Sequence, residues 1–255
     1  MKDTKSTQKK ILIAGPCSLE SELQAIALAN DLQELADKYN FDYIFKASFD
    51  KANRTNLHSP RGLGLKKGVK IFERIKNTIG CKITTDIHEP WQAAELLDVV
   101  DIVQIPAYLC RQTDLLIAAG RSFLGVNIKK GQFIQGSNMI NAVNKVKSTG
   151  NSNIMLTERG SMFGMGDLVV DFRQIVDMKE LGVPVIIDCT HSTQRPNSGK
   201  TTDGQPRYAI HLAKAANAIG VDGFFFEVHH DPSMAISDGS NMIKFSNFEN
   251  ILKEL

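Results

Sequence analysis

"ILIAGPCSLESELQAIALANDLQELA", residues 11–36, contains the pattern of one strand, one turn and one helix. The apolar run Ile11–Cys17 predicts a buried strand that ends in a Gly-Pro turn. Ser21 to Gln24 match the capping box, a pattern with which helices begin. The next apolar positions recur at helical spacing: Leu28, Leu32, Leu35 and Tyr39. The stretch therefore predicts a strand–helix unit whose turn carries Cys17.

The same alternation of apolar and amphipathic runs continues to the end of the chain. The further predicted strands are Tyr43–Ser48, Lys82–Ile87, Ile102–Pro106, Phe123–Lys129, Asn153–Arg159, Val183–Thr190 and Gly223–His229. The further predicted helices are Leu65–Thr78, Trp91–Leu97, Thr113–Ala119, Met139–Lys147, Leu168–Leu181, Arg207–Ile219 and Met242–Leu255. The strands lack polar alternation, which is typical of a parallel sheet covered on both faces. Eight units without a linker predict a single-domain α/β fold, the (β/α)8 TIM barrel, and the alternative is a doubly wound open sheet.

Bulk composition argues against a nucleic-acid or membrane partner. The 255 residues carry a formal net charge of +2, too small for a polyanion-binding surface. No apolar stretch approaches the roughly 18–20 residues that span a bilayer. The cysteines are widely spaced, which favours a cytoplasmic protein with free thiols: they are Cys17, Cys81, Cys110 and Cys189. We predict that residues 1–10 form a flexible or capping segment and that residues 11–255 form the barrel catalytic domain.

Polar side chains lie where each predicted strand ends. In a (β/α)8 barrel the strands' carboxyl ends meet on one face, and active sites are built there. The residues at these ends are Cys17, Lys46 and Ser48, Asp86 and His88, Gln104, Asn127 and Lys129, Glu158 and Arg159, Asp188 and His191, and Glu227 and His229. Their convergence predicts a catalytic mouth.

Cations are concentrated at this mouth although the whole chain is nearly neutral. They are Lys46, Lys51, Arg54, Lys129 and Arg159. Clustered lysine and arginine side chains bind phosphate and carboxylate groups through charge-assisted hydrogen bonds. The pattern predicts a binding site for small anions.

Four side chains at the mouth suggest a metal site: Cys17, His191, Glu227 and Asp238. A mixed set of sulfur, nitrogen and oxygen donors suits a first-row divalent ion, namely Zn, Fe(II), Mn or Co. His229 and His230 are competing candidates for the nitrogen ligand. From the residues alone, Cys17 is equally well explained as a small buried apolar side chain.

Ordered blocks of the sequence resemble the 3-deoxy-D-manno-octulosonate 8-phosphate synthase family. The blocks are AGPCSLES, FKASFDKANRT, TDIHEP, QIPAYLCRQTDLL, NIKKGQF, TERGSMFGMGDLVVDFR, DCTHSTQRP and FEVHHDP followed by SDG. The related 3-deoxy-D-arabino-heptulosonate 7-phosphate (DAHP) synthases usually have KPRT where this chain has KANRT, so Asn53 favours the first family. Two places depart from the family pattern: the 192–206 loop is poorer in glycine, and His230 stands where relatives often have proline.

The resemblance implies condensation of phosphoenolpyruvate with D-arabinose 5-phosphate and water in the biosynthesis of the lipopolysaccharide core sugar. It implies a cytoplasmic homotetramer that uses a divalent metal, because Cys17 stands where the metal-independent branch of the family has Asn. The implied metal ligands are Cys17, His191, Glu227 and Asp238. The implied catalytic residues are Lys46, Ser48, Asp86 and His191. The implied substrate-binding residues are Lys51, Gln104, Pro106, Ala107, Lys129 and Arg159 for phosphoenolpyruvate, and Asn53, Arg54 and Thr55 for the aldose phosphate.

Two other functions fit a polar barrel mouth. A non-catalytic binding barrel would lack some of the polar residues that the family carries at the mouth, and no such loss is found in this sequence. An aldolase that forms a Schiff base would use a lysine at a strand end, and Lys129 has that position.

Overall fold

Eight parallel strands pair in chain order, and the eighth pairs with the first, which closes a barrel. The computed structural model describes residues 9–54, 56–122, 124–162, 166–195 and 203–255. The strands are β1 (Ile11–Gly15), β2 (Asp42–Lys46), β3 (Lys82–Asp86), β4 (Ile102–Ile105), β5 (Gly125–Lys129), β6 (Ile154–Glu158), β7 (Val185–Asp188) and β8 (Gly223–His229). The prediction of a (β/α)8 barrel is confirmed, and the open-sheet alternative is wrong.

A helical segment follows each strand. The α-helices are α1 (Glu22–Lys38), α2 (Leu65–Ile79), α3 (Thr113–Arg121), α4 (Ile140–Lys147), α5 (Arg173–Lys179), α6 (Ala209–Ile219) and α7 (Phe245–Leu252). The connection between β3 and β4 is a 3₁₀ helix, Pro90–Leu96, where the sequence predicts a helix over Trp91–Leu97. Across the described ranges, no helix combines the length and apolar character needed to cross a bilayer.

The first unit folds as its sequence predicts. The Ser21 hydroxyl caps α1 by accepting a hydrogen bond from the Gln24 backbone N–H at 3.3 Å. The reciprocal half of the capping box is replaced, because the Ser21 hydroxyl donates to the Gln24 side chain at 2.9 Å. Leu28 and Leu32 are buried under the helix. The strand β1 and its helix therefore form a preorganised unit with the turn between them.

Two helix predictions are wrong in their extent. The predicted helix Leu168–Leu181 begins only at Arg173, because Val169 exchanges two backbone hydrogen bonds with Ser161 and so continues as an extended segment. The predicted helix Met242–Leu255 is limited to α7, because Ile243–Lys244 forms a short strand beside the end of β8. In both places backbone pairing with an earlier segment of the chain overrides helical periodicity.

Apolar side chains pack in two clusters, one around the barrel and one inside it. One cluster lies between the strands and the surrounding helices, and a smaller one fills the barrel interior. The interior cluster contains Ile13, Ile44, Ile102, Met155, Ile186 and Phe225. The Phe225 ring also contacts the mouth, since Lys129 Nζ lies 3.8 Å from its centroid. The barrel therefore has an apolar interior that ends in an aromatic floor beneath the polar mouth.

Candidate functional site

The strand ends bring the predicted anion-binding cations together in a buried cluster. Lys46, Lys51, Lys129 and Arg159 are each at most 9% exposed. Burial of four cations is costly unless counter-charges or ligands compensate them. Lys46 and Lys129 have carboxylate partners within 4 Å, Lys51 is stabilised by the field of nearby carboxylates, and Arg159 retains an open donor.

Asp188 at the end of β7 compensates Lys129. The Lys129 ammonium donates to Asp188 Oδ2 in a very short contact, and both groups are buried. Burial opposes ionisation of Asp188, but His191 and Lys129 outweigh it and hold its pKa well below the usual range. Burial lowers the pKa of Lys129, an effect that Asp188 opposes. The structure therefore presents a fixed carboxylate beneath a cation at the mouth.

Arg159 at the end of β6 has one nitrogen available for a ligand. Its Nη2 donates to the Gln194 side chain at 2.7 Å. Its Nη1 is buried and has no hydrogen-bond partner within the described residues. An unpartnered guanidinium nitrogen beside Lys129 suits an anionic oxygen.

Lys46 joins the centre of the mouth to two carboxylates. Its Nζ lies 3.2 Å from Ser48 Oγ, 3.4 Å from Asp86 Oδ2 and 3.6 Å from Glu227 Oε1. The Ser48 hydroxyl donates to Asp86 in a very short contact, and Gln104 donates to Asp86 Oδ1 at 2.6 Å. Burial opposes ionisation of Asp86, but Lys46 and Lys51 hold its pKa well below the usual range. Asp86 is therefore a carboxylate with fixed orientation.

Buried side-chain amides hold this network in place. Gln104 accepts from Asn127 at 3.1 Å, and Asn127 accepts from the Thr157 hydroxyl at 2.7 Å. These residues lie on the neighbouring strands β4, β5 and β6. Because the chain of hydrogen bonds runs around the barrel, the orientation of Asp86 depends on several strands.

Three of the predicted metal ligands lie together. The ligand atoms of Cys17, Glu227 and Asp238 are within 4.8 Å of one another. The Cys17 thiol donates to Asp238 Oδ2 at 3.0 Å. Both carboxylate oxygens of Glu227 are buried and lack a hydrogen-bond partner in the part of the chain that the structure describes. A buried carboxylate with two open oxygens beside a thiol and a second carboxylate fits a divalent ion.

The fourth predicted ligand, His191, lies at the edge of this group. Its Nε2 is 3.3 Å from Glu227 Oε1, and its Nδ1 is 2.7 Å from Asp188 Oδ2. A carboxylate on one ring nitrogen fixes the tautomer and leaves the other nitrogen available as a ligand. The ring therefore points its Nε2 toward the open carboxylate oxygens.

Electrostatics link Lys51 to the same group. Burial would lower the pKa of Lys51, but Cys17, Glu227 and Asp238 outweigh it and raise this pKa. Burial raises the pKa of the Cys17 thiol, and Glu227 raises it further. Lys51 therefore carries the positive charge that faces Glu227 and Asp238.

Arg54 and Asn53, two of the residues predicted for the aldose phosphate, lie at the outer rim. Arg54 donates to Ser237 Oγ at 2.7 Å and to the Ile236 carbonyl at 3.0 Å. Asn53 is exposed, and Thr55 lies outside the described residues. Pro106 and Ala107 follow β4 directly, where Ala107 is buried. The structure thus places Arg54 in contact with the loop that carries the metal candidate Asp238.

The competing histidines point elsewhere. His229 Nε2 lies 3.6 Å from Glu20 Oε2, and His230 Nε2 lies 2.8 Å from Asp31 Oδ2. Neither belongs to the candidate ligand group among the described residues. The hypothesis that one of them replaces His191 as ligand therefore has no support in this geometry.

Sequence reasoning assigned no role to three residues that connect the site. Asp188 holds both Lys129 and His191, Gln194 bonds Arg159 and Asp238 Oδ1, and Ser237 bonds Arg54 and Asp238 Oδ2. The position of Asp188 at the end of a buried strand is a signal for it. Gln194 and Ser237 carry no such signal, because each acts through partners distant in sequence.

Comparison with known proteins assigns the chain to a family. The model of the DAHP synthetase I family matches residues 4–255. A 2-dehydro-3-deoxyphosphooctonate aldolase of Syntrophotalea carbinolica is 49% identical over 245 residues, which cover 96% of this chain and 88% of the relative. A protein of the same name from Cyanothece sp. is 48% identical, and the match covers 96% of this chain and 90% of the relative. Another from Fusobacterium nucleatum is 49% identical, and the match covers 95% of this chain and 88% of the relative. The chain therefore belongs to the DAHP synthetase I family and, within it, to the 2-dehydro-3-deoxyphosphooctonate aldolases.

Proposed function

We propose that the chain condenses phosphoenolpyruvate with D-arabinose 5-phosphate and water, giving 3-deoxy-D-manno-octulosonate 8-phosphate and inorganic phosphate. The observation that carries this proposal is the buried cation cluster at the mouth, with an open Arg159 Nη1 beside Lys129. The names of the relatives, which denote the same eight-carbon product, agree with it. The product is a precursor of the lipopolysaccharide core sugar.

Two phosphorylated anions must approach each other in this reaction, and each phosphate carries about −1.5 to −2 charge near neutral pH. Apposing them is unfavourable unless cations lie around and between them. Lys129 and Arg159, with Lys51, suit the carboxylate and phosphate of phosphoenolpyruvate, against the wall formed by Gln104, Pro106 and Ala107. Arg54 at the outer rim, with Asn53 and Thr55, suits the aldose phosphate.

The chemistry forms one carbon–carbon bond and breaks one carbon–oxygen bond. The methylene carbon of phosphoenolpyruvate attacks the aldehyde carbon, whose oxygen takes a proton. Water adds to the carbon that bears the phosphate and loses a proton, and the bond from that carbon to the bridging oxygen then breaks. Phosphate leaves with the bridging oxygen and takes up the remaining hydroxyl proton, and the carbon retains the oxygen of water as a ketone.

Residues at the centre of the mouth can move these protons. Lys46 Nζ lies 3.2 Å from Ser48 Oγ, and this position suits proton donation to the aldehyde oxygen. Asp86 is held as a carboxylate and orients the Ser48 hydroxyl by accepting its hydrogen bond. The orientation of both groups by neighbouring strands contributes rate by fixing the reacting atoms in place.

We also propose that a divalent ion, Zn, Fe(II), Mn or Co, is held by Cys17, His191, Glu227 and Asp238. The open oxygens of Glu227 support this proposal. Such an ion would polarise a carbonyl or orient and acidify water.

Two further properties belong to the same proposal. The family resemblance implies a homotetramer, which light scattering would detect, and the exposed aromatic pair Tyr108 and Phe133, with ring centroids 6.4 Å apart, offers an apolar surface for a subunit contact. Four buried, free cysteines support a cytoplasmic location, and fractionation would test it.

The direct test is phosphate release from phosphoenolpyruvate with either arabinose 5-phosphate or erythrose 4-phosphate. We expect a clear preference for arabinose 5-phosphate in kcat/KM. A preference for erythrose 4-phosphate would move the chain to DAHP synthase chemistry. Borohydride treatment with substrate is the control for a Schiff base, and covalent labelling of Lys129 would contradict the proposed mechanism.

A further inference from the structure

Glu20, in the turn after β1, contacts the loop that carries Asp238. Its Oε1 accepts a hydrogen bond from the Ile236 backbone N–H at 2.9 Å. Ile236 precedes Ser237 and Asp238 in the segment that we call the 235–239 loop. One carboxylate of the first strand–helix unit therefore binds the backbone of the loop that follows the last strand.

His229 holds Glu20 in this position. The backbone N–H of Asp231 donates to His229 Nδ1 at 3.0 Å, so this nitrogen acts as the acceptor. The ring proton then lies on Nε2, which faces Glu20 Oε2 at 3.6 Å. The side chains of His229 and Glu20 are 9% and 14% exposed, so water competes little for either.

The 235–239 loop joins two parts of the site. Ser237 Oγ accepts from Arg54 at 2.7 Å and donates to Asp238 Oδ2 at 2.8 Å. The Ile236 carbonyl accepts a second hydrogen bond from Arg54. A displacement of this loop would therefore move the anion-binding Arg54 and the metal candidate Asp238 together.

A cavity of about 160 Å³ lies on the Glu20 side of the segment that precedes the loop, lined by Glu20, His229 and Met234 among others. Met234 is 70% exposed and closes little of this space. The Asp238 backbone has a φ of 53°, a left-handed conformation that must be stabilised by its surroundings. The hydrogen bond from Ile236 to Glu20 provides a directional contact at this place.

We propose that Glu20 is a positioning residue that fixes the 235–239 loop and, through it, sets both metal affinity at Asp238 and aldose phosphate binding at Arg54. This inference rests on the proposed function, which it deepens by linking the two binding sites. Glu20 itself touches neither the metal ligands nor Arg54, so it acts through Ile236.

The test compares Glu20→Ala with Glu20→Gln. Gln retains an oxygen that can accept from Ile236, whereas Ala does not. We expect Glu20→Ala to weaken Zn²⁺ and Mn²⁺ binding on the order of tenfold, because loss of a supporting hydrogen bond around a metal site typically has an effect of this size. Competition with a chromophoric chelator measures this affinity. We expect the KM of Glu20→Ala for arabinose 5-phosphate to rise by a similar factor while its KM for phosphoenolpyruvate stays within twofold. Glu20→Gln should retain wild-type values for all three.

The control is Glu22→Ala, which removes a nearby carboxylate that contacts Arg74 at 3.0 Å and not the loop. It should leave metal affinity and both KM values unchanged. A folded Glu20→Ala with wild-type metal affinity and KM would overturn the proposal, and so would equal losses in Ala and Gln. Metal affinity is measured without substrate, so failure of the proposed reaction leaves this arm intact. If the wild type binds no metal, the KM for arabinose 5-phosphate decides.

Discussion

Asp188 contacts both a cation and a histidine at the mouth. It is fully buried, and its carboxylate contacts the Lys129 ammonium and His191 Nδ1. It therefore neutralises a cation that is expected to bind phosphoenolpyruvate and orients a candidate metal ligand. The consequences of losing its charge can be predicted separately for stability and for activity.

We expect Asp188→Asn to lower the free energy of unfolding by about 3–5 kcal/mol, because it leaves the buried Lys129 without a counter-charge. We expect kcat to fall about 10–100-fold, because His191 loses its orienting carboxylate. Urea unfolding and phosphate release measure the two effects. The control is Asp42→Asn, which breaks an exposed 2.8 Å pair with Lys82 and should cost less than about 1 kcal/mol with unchanged kcat. A stable, fully active Asp188→Asn would contradict both roles.

Cys17 provides the second prediction at this scale. We expect exhaustive chelation to abolish phosphate release and Cys17→Ala to lose most metal affinity, because a thiolate ligand is missing. We expect Cys17→Asn to retain some activity without metal, since the metal-independent branch of the family has Asn there. The matched control is Cys81→Ala, a buried cysteine packed in the cluster outside the barrel interior. A wild type that stays fully active after chelation would exclude an essential metal.

Sequence alone could predict which residue types lie at the mouth, because a cation or carboxylate that ends an apolar strand is conspicuous. It could not predict which of them pair. Lys129 is 59 residues from Asp188, and Cys17 is 221 residues from Asp238. These contacts depend on barrel closure, which periodicity does not report. Sequence reasoning gave Glu20 no role, since its partner Ile236 is 216 residues away.

At the scale of the elements, the first turn fixes how closely β1 approaches β2. A Cβ at Gly15 would lie 2.2 Å from the Lys46 carbonyl oxygen, a distance at which backbone must shift. Gly15 lies two residues before Cys17, and Lys46 ends β2. The glycine therefore permits the close strand packing that places Cys17 and Lys46 side by side at the mouth.

We expect Gly15→Ala to lower the free energy of unfolding by about 1–3 kcal/mol through overpacking and to reduce kcat by more than tenfold. The control is Gly80→Ala, at the end of α2. Its φ of 78° makes alanine cost about 1–2 kcal/mol, but it has open space and lies before β3, far from the mouth. Thermal unfolding and phosphate release separate the two variants. If both lose activity equally, the loss follows stability and not the position of β1.

For the strands, the apolar pattern of the sequence is sufficient to predict where each element lies. Strand bounds follow from the apolar runs to within a few residues, because a strand buried on both faces must be apolar along its length. The two shortened helices fail for a different reason. Val169 and Ile243 both lie in runs with helical spacing, yet Val169 pairs its backbone with Ser161 and Ile243 pairs with Val228 of β8. Apolar spacing does not report such backbone pairing between a segment and the chain that precedes it.

For the molecule as a whole, charge is focused and not distributed. A net charge of +2 coexists with buried cations and carboxylates at one end of the barrel. Because the barrel is a single closed domain, its unfolding exposes all of these charged groups at once. The ionisation of the mouth should therefore appear in the stability of the entire fold.

Acid stability tests this expectation through Asp86. The free carboxyl of an unfolded Asp has a pKa of about 3.9, and the cations at the mouth hold the pKa of native Asp86 well below its usual range. Between these values the unfolded chain binds a proton that the native protein does not, so stability falls as pH decreases.

We expect the urea midpoint of metal-free wild type to decline progressively as pH falls below about 5. Asp86→Asn should be less stable at pH 7 but should decline less steeply, so that the two curves converge in acid. Gly80→Ala is the uncharged control: it should lie below the wild type at every pH and run parallel to it. Parallel curves for Asp86→Asn and wild type would show that the native fold does not depress the ionisation of this carboxyl, and the electrostatic role assigned to Lys46 and Lys51 would then be wrong.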